Sequence, residues 1–194
     1  GVFEMTEQGL MEVPNPSALF LAERQGEVAG ATVFAGIEGT RPVLVELQAL
    51  VAPSPLATPR RSVLGWDGAR LAMILAVLQR RVGVAIAADD VYVSTIGGAR
   101  VTEPAADVAL ALALASARTD APVRSGLAAI GEVALSGAVR PVTGLGQRVA
   151  EAARLGFTEV IVPATPAPVE APRGVTIHAV STVREAVERA VPRA

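Results

Sequence analysis

The sequence contains no lysine; its 17 strongly basic side chains are all arginine. Without an ε-amine the chain cannot form a Schiff base, clamp a phosphate through a P-loop lysine, or supply the amine base of a serine–lysine dyad. Cysteine is absent as well, which excludes disulfides and thiolate metal sites and suits a cytoplasmic setting. Aromatic residues make up only 3% against an apolar share of 51%, so the core is packed from Ala, Val and Leu. No apolar run reaches the ~18 residues a membrane span needs. The nearest candidate, residues 108–117, directly follows Asp107 and reads as a buried helix. The single histidine, His178, lies inside the apolar strand Val175–Val180, where spacing suggests no metal or triad partners.

At 194 residues the chain is one domain that folds without staples. It opens on Gly1, with its first methionine at Met5, as expected of a segment of a longer protein whose remaining motifs lie upstream. Net charge is −2, which gives no bulk attraction to nucleic acid, but the charges are unevenly spread. Residues 1–50 hold seven acids against two arginines, whereas residues 51–81 hold five arginines against Asp67 alone. Such asymmetry builds either a basic patch or ordinary solvated helix faces.

Apolar runs at 28–35 and 42–51 flank Gly36-Ile37-Glu38-Gly39-Thr40 and predict an antiparallel hairpin. Asn15-Pro16-Ser17 is a helix-start signal. Residues 52–59 form a proline-punctuated loop leading into Arg60 and Arg61. Asp67 caps a helix through about Val82, with Leu71, Ile74, Leu75 and Leu78 on one face and Gly83 ending it. Strands are predicted at 91–96 (closed by Gly97-Gly98), 127–134, 138–142, 159–162 and 175–179, and helices at 104–117, 145–155 and 182–190. The adjacent acids Asp89 and Asp90 precede a strand and read as a loop or cap rather than a metal pair. Mixed strands and helices with a hairpin-rich front half give an α+β domain.

One stretch carries a specific signal. Gly131-Glu132-Val133-Ala134-Leu135-Ser136-Gly137-Ala138-Val139-Arg140-Pro141-Val142, followed by Gly144-Leu145 and a helix ending Ala152-Ala153-Arg154-Leu155-Gly156-Phe157, resembles the proteolytic domain of the Lon protease family. In that family a lysine just after the matching Gly-Leu is the catalytic base; here Gly146 stands in its place. The family's nucleophilic serine lies in D-G-P-S-A-G at a helix start. The matching stretch here is Thr102-Glu103-Pro104-Ala105-Ala106-Asp107, with Ala105 in place of the serine. With neither hydroxyl nor amine, this dyad cannot perform nucleophilic catalysis. A displaced nucleophile, Ser94 or Ser136, has no evident base.

A second set of motifs covers nearly the whole chain: Pro59-Arg60-Arg61, Gly65-Trp66-Asp67-Gly68-Ala69-Arg70-Leu71, Val91-Tyr92-Val93, Gly97-Gly98-Ala99-Arg100-Val101 and Glu103–Asp107, preceded by Gly1–Met5 and Val13–Ser17. Together they resemble the Lon-like C-terminal domain of the bacterial RadA (Sms) DNA-repair family. The resemblance implies a Lon-like α+β fold over residues 1–194, not itself an enzyme, in a repair ATPase acting on branched DNA. It implies a zinc finger and a RecA-like ATPase upstream, which would hold the Zn, ATP and Mg; no cofactor is implied for this domain. It also implies assembly as a hexameric ring and contact with single-stranded or branched DNA. Arginine pairs with phosphate through its planar fork, so Arg41, Arg60, Arg61, Arg100 and Arg140 are the candidate contacts, each with a competing reading as a salt bridge. Arg70, Arg80 and Arg81 lie on the Asp67 helix, with a solvated or subunit-facing role. A pure oligomerisation scaffold and a residual peptide-binding or hydrolase cleft remain as alternatives.

Overall fold

The computed structural model describes residues 3–6, 9–12, 28–96, 99–167 and 169–192; the expected helix start at Asn15 and the Gly97-Gly98 turn lie outside them. A leading hairpin, β1 (Phe3–Thr6) and β2 (Gly9–Glu12), precedes the main sheet. The sheet begins with the expected hairpin, β3 (Ala31–Glu38) and β4 (Arg41–Pro53), turning through Gly39-Thr40 with Glu38 opposite Arg41. Strand order is β11-β10-β7-β3-β4-β6-β5, in which β5 is Arg61–Leu64, β6 Asp89–Thr95, β7 Leu127–Ala129, β10 Glu159–Pro163 and β11 Thr176–Val180. The run from β11 to β3 is parallel, β4 is antiparallel to both neighbours, and β5 returns parallel to β6. The α+β expectation therefore resolves into a mixed sheet with four α-helices among the described residues.

Each helix begins or ends where its local chemistry allows. Helix α1 (Gly68–Val77) starts at Asp67, whose carboxylate accepts the Arg70 N–H at 2.7 Å. It does not run as α-helix to Val82 as the spacing suggested: residues Leu78–Val82 widen into a π-helical turn, ended by Gly83 at φ 92°. Helix α2 (Asp107–Thr119) follows a 3-10 turn at Pro104–Ala106 and is buried from Asp107 through Ser116. Its Ala–Leu sequence is what a helix enclosed on all sides requires. Helices α3 (Leu145–Arg154) and α4 (Val183–Ala190) follow, with Thr182 capping α4 by accepting the Glu185 N–H.

Two apolar clusters lie on opposite faces of the sheet. Phe34, Leu47, Ala49, Val91, Val93 and Ile161 pack under α1, α2 and α4, whereas Val33, Ala35, Leu44, Val160 and Val162 pack under α3 and Phe157. On the α3 face of β4, β6 and β5, Leu50, Leu64 and Tyr92 are exposed beside an open groove of about 340 Å³.

The strand expected over 127–134 is corrected to two pieces. After Ala129 the chain leaves the sheet, because Gly131 bonds to the start of α2 instead: its N–H reaches the Ala105 carbonyl at 2.7 Å and its carbonyl accepts the Val108 N–H at 3.1 Å. A Cβ at Gly131 would stand 2.8 Å from Val139 and 2.9 Å from Val108, so only glycine fits. The chain resumes as a separate hairpin, β8 (Glu132–Val133) and β9 (Val139–Arg140). Since Leu112 is fully buried at the centre of α2, Leu112→Ala is expected to lower unfolding free energy by about 2–5 kcal/mol in urea denaturation.

Candidate functional site: the Ala105 turn and the exposed arginines

Ala105 is buried in the turn that enters α2, between two carboxylates that are each tied to an arginine. On one side, Glu103 pairs with Arg148 of α3 at 2.6 Å. Arg148 is 2% exposed, lies 5.7 Å over the Phe34 ring, and donates to the carbonyls of Ala35 (2.8 Å) and Thr143 (3.0 Å). The other Glu103 oxygen accepts the Ile37 N–H at 2.9 Å. Gly36 is needed for this approach, since a Cβ there would come within 2.8 Å of Glu103 and 2.9 Å of Phe34.

On the other side, Asp107 is fully buried and accepts two bonds from Arg70 and the Val133 N–H at 2.9 Å. Burial pushes the Asp107 carboxyl above its ordinary value, opposed by the bonds from Arg70 and Val133. The same bond from Asp107 holds Arg70 still more firmly in its charged form. One short turn is thus joined to α3, β3, α1 and β8.

Gly146 is the second residue of α3 and is exposed; a Cβ there would meet nothing within 4 Å. Packing therefore does not impose glycine at the position where the Lon pattern has its base. Neither serine named from sequence has a base beside it. Ser136 is exposed at the β8–β9 tip, its Oγ accepting the Ala138 N–H at 3.4 Å. Ser94 lines the open groove beside Leu64 and Tyr92. The histidine is elsewhere, 2.6 Å from Glu159, whose second oxygen holds Arg124 at 3.0 Å. Asp89 and Asp90 stand at the start of β6: Asp89 pairs with Arg118 at 3.2 Å, and Asp90 accepts the Arg60 N–H at 2.7 Å.

The five candidate arginines divide into two kinds. Arg61 begins β5 rather than sitting on the loop, and its guanidinium donates to the carbonyls of Arg60, Ile86, Ala87 and Asp89. Arg41, Arg60, Arg100 and Arg140 are exposed, and their guanidinium groups make no hydrogen bond or ion pair among the described residues. They are dispersed over the hairpin turn of β3–β4, the approach to β5, the loop after β6 and the end of β9. Arg70, read from the sequence as solvated or subunit-facing, is instead half-buried against Asp107, and the buried Arg148 was not singled out by the sequence reading. A signal was available for Arg148, which falls on the stripe of Leu145, Val149 and Ala152, where an unpaired charge is untenable.

Two pairs on surfaces of different burial set the stability expectations. Arg148→Ala is expected to cost about 3–5 kcal/mol in urea unfolding, since it strands Glu103 and empties a packed site. Arg154→Ala, which removes the exposed pair with Glu151 on the same helix, is expected to leave the urea midpoint nearly unchanged. The Arg60 N–H and Ser54 hydroxyl hold the Asp90 carboxyl below its ordinary value, so its stabilisation is present above the unfolded pKa and lost on acidification. The denaturation midpoints of the parent and Asp90→Asn should therefore differ at neutral pH and converge as acidification protonates the carboxyl in the folded state as well.

The pattern of the Lon protease (S16) C-terminal proteolytic domain matches residues 83–193. Among curated proteins, the DNA repair protein RadA of Brucella abortus (strain 2308) is 58% identical over 163 residues, 84% of this chain and 35% of that protein. Its counterpart in Escherichia coli (strain K12) is 48% identical over 187 residues, 96% of this chain and 41% of that protein. The RadA protein of Rickettsia felis is 50% identical over 161 residues, 83% of this chain and 36% of that protein. The chain spans about two fifths of the length of the relatives it matches.

Proposed function

The chain belongs to the Lon protease C-terminal proteolytic domain family, and from that footing we propose that it is a non-proteolytic, DNA-contacting assembly domain of a RadA-type repair ATPase. The observation that carries the reading is the pairing of that kinship with the residues at the dyad positions. Ala105 offers no hydroxyl, Gly146 offers no amine, and no lysine exists anywhere in the chain to replace it. The turn that would present a nucleophile is instead held by two arginine–carboxylate pairs. A scaffold retained without its cutting groups is suited to holding subunits and nucleic acid.

In the proposed role the domain supports a hexameric ring while exposed guanidinium groups meet the phosphates of single-stranded or branched DNA. Arg41, Arg60, Arg100 and Arg140 are unengaged and able to do so; Arg61 acts through the loop it holds. Zinc, ATP and Mg would belong to other parts of the longer protein. Among the described residues no helix is long and apolar enough to cross a membrane, and the proposed setting is the cytoplasm.

The alternatives differ in what they predict. A pure scaffold forms the ring but binds no DNA at low salt, and a residual hydrolase turns over unfolded casein. Fluorescence anisotropy with labelled oligothymidylate is expected to show binding that falls steeply with salt. Each arginine–phosphate contact removed by Arg60→Ala, Arg100→Ala or Arg140→Ala should reduce the slope of log K against log salt by about 0.7. No DNA binding at low salt, or casein turnover abolished by Ser136→Ala, would overturn the reading.

A further inference from the structure

The π-helical turn that follows α1 brings together elements that are distant in sequence. The tip of the β8–β9 hairpin lies against it: the Cβ position of Gly137 (φ 85°) is 3.1 Å from Cβ and Cγ of Arg81. A side chain at residue 137 would displace the Arg81 stem, so the glycine fixes where that arginine stands. The same tip is bonded to the start of α4, through the Val183 N–H to the Gly137 carbonyl and the Val139 N–H to the Ser181 carbonyl, both 2.9 Å. Arg184, in the first turn of α4, closes the corner by donating to the carbonyls of Arg81 and, at 3.1 Å, Val82.

Three exposed arginines therefore stand on the elements that meet at this corner: Arg80 and Arg81 on the π-helical turn and Arg184 on α4. The guanidinium groups of Arg80 and Arg81 make no hydrogen bond or ion pair among the described residues, while Arg184 is held in place by its two carbonyls. The acid in the same helical turn, Glu185, is occupied by the Ser181 N–H at 2.9 Å. Like charges gathered on a surface, with the Arg81 stem set against Gly137 and the Arg184 guanidinium fixed on two carbonyls, call for a counter-ion. A polyanion with closely spaced phosphates supplies several at once, and arginine binds each phosphate in two-pronged fashion.

We infer that this corner, formed by the π-helical turn, the β8–β9 tip and the start of α4, is a further surface, besides the dispersed arginines named above, by which the chain grips a nucleic-acid phosphate backbone. The inference rests on the DNA-contact reading above and adds to it residues that the helix pattern assigned to a solvated or subunit-facing role. Here the helix end is widened, so that Arg80 and Arg81 project where two other elements converge.

The test uses the charge-only double variant Arg80→Gln/Arg81→Gln, which keeps both aliphatic stems and the Gly137 contact, with Arg80→Lys/Arg81→Lys as the charge-preserving control. Binding of the 194-residue chain to labelled oligothymidylate is measured across a salt series, alongside thermal unfolding and sedimentation. Two lost phosphate contacts should lower the slope of log K against log salt by about 1.4, a loss of roughly 25-fold at 0.1 M that vanishes toward 1 M. The thermal midpoint and the oligomeric state should not change, and the lysine variant should retain most of the affinity. If the parent binds DNA and the glutamine variant binds equally well, the corner is overturned while the DNA reading stands. A change in oligomeric state with DNA affinity intact would likewise overturn it, marking the corner as a subunit contact. Failure of the parent itself to bind DNA would overturn both.

Discussion

A carboxylate with no solvent exposure stands at the entrance to the helix that fills the core, and the architecture is arranged so that it is never left unpaired. Asp107 cannot be moved outward, because the helix it begins is enclosed through Ser116. Its charge is met from two directions, by Arg70 across from α1 and by the N–H of Val133 on the hairpin that leaves the sheet. That requirement explains why the chain departs from the sheet after Ala129, and why Gly131 is placed where only glycine fits. Arg148 and Glu103 repeat the device four residues earlier in the turn, joining it to the opposite face of the sheet. Core packing and the geometry around Ala105 are two aspects of one constraint.

The arginines serve this protein in ways that lysine could not. Arg61, Arg118 and Arg184 together donate to six carbonyls between residues 81 and 89, the connection between α1 and β6. A guanidinium presents five donors in a fixed plane and can bridge several carbonyls at once, whereas an ammonium is a single point. Arg148 does the same inside the core, using one fork for a carboxylate, two carbonyls and an aromatic face.

Much of the architecture was legible in the sequence because local chemistry decided it. The Asp67 cap, the stop at Gly83 and the β3–β4 hairpin are where residue type alone indicated them, and the ordered motifs pointed to the Lon-like fold. What escaped depends on partners remote in the chain. β5 is four residues long and follows a proline-rich loop; it is a strand only because β6, some thirty residues later, offers it an edge. The break after Ala129 depends on the Ala105 turn, and the widening of α1 at Leu78 has no local sequence cause that we can identify. Ala105 and Gly146 were found by pattern, but the arginine–carboxylate pairs around them were not, since a lone charge in a helical stretch reads as solvated until its burial is known. The proline-rich neighbourhood of Arg61 points to a loop cation that meets phosphate or a carboxylate, and the structure gives its guanidinium four carbonyls.

The carbonyl clamps on residues 81–89 also bear on mobility. Side chains from β5, α2 and α4 occupy carbonyls that the connection would otherwise present to water. The segment linking α1 to β6 is therefore tethered from three separate elements, and its movement is coupled to theirs rather than being that of a free loop.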